Sequence, residues 1–91
     1  MQSALGIIYA YRKLPQKALP RIQAALALGP EDPEILSNIA EAYGYLGDRR
    51  QCVHFYQRAM QKGYSLAKLR GNPNLQSLVS DPSFTAEVTH R

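Results

Sequence analysis

The sequence predicts an all-α fold in which two helical hairpins stand in tandem and a short helical segment caps the C-terminal end. Three observations carry that prediction. The chain matches itself at an offset of 34 residues, since Tyr9 and Tyr11 recur as Tyr43 and Tyr45. In the same register Ser3 pairs with Ser37, Gln23 with Gln57, Ala25 with Ala59 and Gly29 with Gly63. Apolar residues fall at helical spacing, as in Leu36, Ile39, Ala40 and Tyr43, then Cys52, Val53, Tyr56, Ala59 and Met60. Helix start and stop residues bracket those runs.

Taken in chain order, residues 1–31 form the first unit, residues 32–65 the second and residues 66–91 the cap of one domain spanning 1–91. In the first unit Pro20 falls about a turn inside the second helix, where it removes a donor and crowds the preceding carbonyls, so a late or kinked start is expected there. The second unit is better punctuated. Asp32 can cap a helix whose first residue is Pro33, Gly47 can end it in a left-handed turn, and Asp48 can cap the next with Gln51 at its third position. In the tail, Asn72-Pro73 and Asp81-Pro82 each pair a capping side chain with a first-turn proline, predicting two short helices. Leu66, Leu69, Leu75, Leu78, Val79, Phe84 and Val88 supply the apolar surface to cover the end of the stack.

The order of residues within each unit resembles the tetratricopeptide repeat, a family with a period of 34. Leu5, Gly6, Tyr9, Ala18, Ile22, Ala25 and Pro30 look like one copy, and Leu36, Ile39, Ala40, Tyr43, Cys52, Tyr56 and Ala59 like the next. Leu36 stands where the family often has tryptophan, and Tyr64 stands where Pro30 sits in the first copy, so the exit from the second unit is expected to differ. The stretch Lys62–Phe84, through Gly63-Tyr64, Leu69-Arg70, Asn72-Pro73, Leu75, Leu78, Asp81-Pro82 and Phe84, is similar to segments that close such regions in bacterial multidomain regulators. The resemblance implies a protein–protein interaction module. Such a module would be expected to bind a peptide or protein in a concave groove lined by the first helix of each hairpin. Register places Ser3, Ile7, Ala10 and Tyr11 there from one unit, and Ser37, Asn38, Glu41 and Tyr45 from the next. The alternative it implies is a regulatory or dimerising C-terminal appendage of a bacterial signalling protein, such as a kinase or a transcription regulator.

Composition narrows the remaining classes. Hydrophobic content is 45% with no apolar run of membrane-spanning length, and Met1–Ala10 has no basic leader before its apolar residues and no small-residue cleavage site, so a cytoplasmic setting without a membrane partner is expected. One cysteine cannot form an intramolecular disulfide, and His54 and His90 lie far apart, so neither metal nor cofactor is expected. No nucleophile–base pair, carboxylate pair or phosphate-cradling glycine loop stands at a recognised spacing, so no enzyme activity is expected. Cys52 takes the place of Ala18, which marks it as a small core residue. Tyr9, Tyr43 and Tyr56 occupy packing positions, whereas Tyr11 and Tyr45 are expected on the groove.

The net charge of +4 is compatible with a basic edge of Arg12, Lys13, Lys17, Arg49 and Arg50, read either as solvated loop charge or as a dock for an acidic partner. Its scattered cations lack the density of a nucleic-acid arm, and nucleic acid is not the expected partner. Ile7 and Ile8 would expose a face that a preceding repeat covers, so the expectation is either a piece of a longer array or a homodimer through the N-terminal helices.

Overall fold

A computed structural model describes residues 2–89, and the side chains of residues 2–5 and 74 lie outside that description, as do Met1, His90 and Arg91. Four longer helices come first: α1 (Gln2–Tyr11), α2 (Pro15–Leu28), α3 (Pro33–Tyr45) and α4 (Arg49–Gln61). Three short ones follow: α5 (Leu66–Arg70), then a 3-10 turn at Pro73–Leu75 leading into α6 (Gln76–Val79), then α7 (Pro82–Thr89). Antiparallel partners α1/α2 and α3/α4 make the two hairpins, α1 and α2 both pack against α3, and α7 lies on α4. No described helix is long and apolar enough to cross a membrane.

The 34-residue period is visible in the backbone itself. Helices α1 and α3 end at Tyr11 and Tyr45, and α2 and α4 begin at Pro15 and Arg49. The two hairpin turns use the same device. Leu14 N–H donates to Tyr9 C=O at 2.9 Å around Lys13 at φ 59°, and Asp48 N–H donates to Tyr43 C=O at 3.0 Å around Gly47 at φ 82°. Both are helix ends closed by one left-handed residue and a bond spanning five residues back. The end of α4 repeats it a third time, with Gly63 at φ 104° and Tyr64 N–H on Ala59 C=O at 2.9 Å. Gly29, the register equivalent of Gly63, has φ −147°, so the exits of the two units do differ. Glycine tolerates the left-handed region and alanine does not, so Gly47→Ala should cost about 1–2 kcal/mol in urea unfolding. A change below about 0.3 kcal/mol would contradict that geometry.

Caps explain most helix starts. Asp32 accepts from the backbone N–H groups of Glu34 (2.9 Å) and Ile35 (3.3 Å), Asp48 from Gln51 (3.1 Å), Ser65 from Ala67 (3.1 Å) and Asp81 from Ser83 (2.9 Å). The Ser65 cap starts α5, a helix the sequence reading did not anticipate. Two expectations are corrected. Helix α2 begins at Pro15 and runs unbroken through Pro20, because Pro20 lies on its exposed side, where water can satisfy the acceptor that the proline leaves. Asn72-Pro73 opens a single 3-10 turn, and α6 starts only at Gln76 without a side-chain cap.

Small residues let the helices approach. Ala10, Ala18, Ala25, Ala40, Ala42, Cys52 and Ala59 are buried, and Leu36, Ile39 and Tyr56 are among the largest fully buried side chains of the core. A methyl on Gly6 would stand 3.2 Å from Ile22 Cγ1, which shows how closely α1 and α2 meet. Phe84 and Val88 of α7 are fully buried, and Phe84 meets Tyr56 edge-on at 6.3 Å. The tail therefore completes the core on one side of the second hairpin.

Candidate functional site

Helices α1 and α3 run side by side, so the same face of each repeat unit contributes to one surface. There Ile7, Ile8, Tyr11 and Arg12 of the α1 end and Glu41 and Tyr45 of α3 line an open cavity of about 230 Å³. Spacing explains the set, because Ile7, Ile8, Tyr11 and Arg12 share one helical stripe and Glu41 lies one turn before Tyr45. Tyr11 is 61% exposed, and its ring meets Tyr45 edge-on at 5.3 Å between centroids. The Tyr45 hydroxyl donates to Glu41 Oε2 at 2.6 Å. That bond fixes the carboxylate at the cavity wall, within the same pocket as the Arg12 side chain. The surface thus offers apolar and aromatic area with one anionic and one cationic group.

Of the eight groove positions read from sequence, Ile7, Tyr11, Glu41 and Tyr45 gather at this cavity. Asn38, a turn earlier on α3, is half-buried and does not line it. Tyr45 departs from expectation in being 8% exposed, because Tyr11 covers its ring and Glu41 takes its hydroxyl. Tyr11 is the exposed aromatic of the pair. Of the other groove positions, the side chain of Ser3 lies outside the described residues, and Ala10 and Ser37 are buried in the packing. Ile8 and Arg12 were missed as cavity residues, although their spacing of four, next to Ile7 and Tyr11, was the available signal.

The basic edge does not stand as one surface. Arg49 turns to the tail, donating from Nη1 to Asp81 Oδ2 (3.1 Å) and from Nη2 to Ser83 Oγ (3.1 Å), with Glu87 Oε1 at 3.6 Å. Two carboxylates hold it over the Phe84 ring, 5.7 Å from the centroid. Lys13 Nζ donates to the Tyr45 carbonyl, which ties the turn of the first hairpin to the end of α3. Lys17 lies over the Tyr9 ring at 5.9 Å, Arg12 lines the cavity, and Arg50 stands with Asp48, Gln51 and His54 on a separate surface.

Cys52 is fully buried, and burial pushes its thiol up to about 12, so it serves packing rather than nucleophilic chemistry. Burial likewise raises the Tyr43 phenol, whose ring stacks on Phe55 at 5.7 Å. His54 is exposed and meets the Phe55 edge. Among the described residues, no three His, Cys, Asp or Glu side chains come together as a metal-holding group. Compared with family models, with curated proteins and with solved structures, the chain matches none.

Proposed function

We propose that this chain is a tetratricopeptide-type repeat module that binds a peptide or protein partner in the surface between α1 and α3. The observation that carries the reading is the convergence of register-equivalent helix faces on one open cavity, with Tyr11 exposed in its lining. The repeat assignment is supported by the turns at Lys13 and Gly47, which recur at the 34-residue offset in conformation and in hydrogen bonding. An exposed aromatic braced by a second ring loses little freedom on binding, and such residues supply a large share of interface energy. Arg12 and Glu41 select register and orientation by pairing with a partner's own charges.

A phage-displayed peptide library selected on the protein tests the reading. The selected peptides should lose about tenfold or more in affinity on Tyr11→Ala and on Ile7→Ala, with helicity unchanged. Glu41→Gln should alter which charged residues the peptides carry more than their overall affinity. Selected peptides indifferent to both Tyr11→Ala and Ile7→Ala would remove this surface as the binding site.

A further inference from the structure

The seven carboxylate side chains of the chain divide by what meets them. Glu31 pairs with Lys62, Glu34 with Lys68 at 2.6 Å, and Asp81 and Glu87 share Arg49 at 3.1 and 3.6 Å. Asp32 and Asp48 accept from backbone N–H groups at the starts of α3 and α4. Glu41 is the exception. Among the described residues no cation forms an ion pair with it, although the chain carries four more Lys and Arg than Asp and Glu. Its hydrogen-bonded neighbour is the neutral Tyr45 hydroxyl, which donates to Oε2 at 2.6 Å. The other oxygen, Oε1, has no protein donor and stays open to solvent.

This carboxylate stands in the wall of the α1–α3 cavity, half-buried. There it loses part of its hydration, and a phenol returns less than a cation would. Neither cation of the facing turn supplies the difference. Lys13 crosses to α3 but donates to the Tyr45 carbonyl, and Arg12 lines the same cavity without pairing with Glu41. The Tyr45 ring is held edge-on against Tyr11 at 5.3 Å, so the hydroxyl that fixes Glu41 is itself fixed. An oriented carboxylate, the Tyr11 ring and Ile7 therefore border one space of about 230 Å³. A lysine or arginine side chain has the matching anatomy, with an apolar stem for the ring and the isoleucine and a charged head that donates to the carboxylate.

We propose that Glu41 is the specificity-determining residue of the α1–α3 surface, and that the bound peptide presents one lysine or arginine to it. The proposal rests on the reading of that surface as the peptide site. The head group donates to Glu41 Oε1, and the stem lies along Ile7 and the Tyr11 ring. Arg12 repels a second cation beside the first and favours an acidic neighbour, so the surface selects an isolated cation rather than a polybasic run.

Peptides selected on the parent protein provide the test. They should share one Lys or Arg at a fixed spacing from the residue that makes them sensitive to Tyr11→Ala. Replacing that cation by a neutral analogue, norleucine for lysine or citrulline for arginine, should weaken binding about fivefold on the parent in fluorescence anisotropy and leave it unchanged on Glu41→Gln. Glutamine keeps an acceptor for the Tyr45 hydroxyl, so the variant retains the local fold. Selection repeated on Glu41→Lys should return an acidic residue at the same place, whereas Glu34→Gln, which breaks an ion pair elsewhere on α3, should change nothing. An equal loss on the parent and on Glu41→Gln would overturn the proposal, as would Tyr11-dependent peptides with no shared cation; in both cases the α1–α3 site itself stands. Peptides indifferent to Tyr11→Ala and Ile7→Ala, or no selected peptide at all, would remove the site and the role of Glu41 with it.

Discussion

Phe84→Ala is expected to cost about 3–5 kcal/mol, a large part of the roughly 5–15 kcal/mol that holds a domain of this size. The ring is fully buried between Tyr56 and the Arg49 guanidinium, on a helix of eight residues whose main support is α4. Removing it leaves a cavity that the short α7 cannot close by shifting as a unit without losing Val88 as well. Amide exchange should therefore show α7 unprotected while α3 and α4 keep most of their protection, and urea titration should show the loss in stability. A change within about 1 kcal/mol of the parent would mean that the tail is not seated on the core. Acid attacks the same joint. Hydrogen bonds from Arg49 and then Ser83 hold the Asp81 carboxyl below its ordinary value of 3.8. A depressed carboxylate contributes stability that is complete above that ordinary value and is lost as pH falls through the folded-state value. Loosening of α7 should thus begin below about pH 4, and Arg49→Ala should flatten that dependence.

Cys52→Leu is expected to destabilise by about 1–3 kcal/mol through overpacking, although leucine is the better helix former. The constraint is geometric: a methyl on Gly44 would stand only 3.3 Å from Cys52 Sγ and 3.5 Å from Leu75 Cδ2. Helices α3 and α4 meet too closely there for a branched side chain. In the parent protein the same burial should keep the thiol silent toward a disulfide reagent at pH 8, with labelling only through opening of the fold. Stoichiometric labelling of the native protein within seconds would refute the packing role of Cys52. The alkaline sign follows from the raised thiol. Its folded form holds the proton that the unfolded chain releases above about pH 8.5, so stability should fall as pH rises past that point.

Local chemistry was enough to place much of this molecule. Asp32, Asp48 and Asp81 cap the helices that their positions beside Pro33, Gln51 and Pro82 predicted, and Gly47 supplies the left-handed turn. Those interactions span two to five residues, so sequence spacing contains them. Lys13 shows where that legibility thins. It takes the same left-handed turn as Gly47 without the residue type that announces it, and the sequence reading placed it only on the basic edge.

The sequence by itself determined the two hairpins, their period, the small positions where helices meet and four of the residues around the α1–α3 cavity. These follow from periodicities of a few residues and from repetition, both of which are properties of order along the chain. Only the tertiary structure decided that Tyr45 is shielded by Tyr11 and that Arg49 locks the tail. Those outcomes join side chains more than thirty positions apart. Their energies come from burial and charge pairing, which depend on which surfaces the folded helices bring into contact.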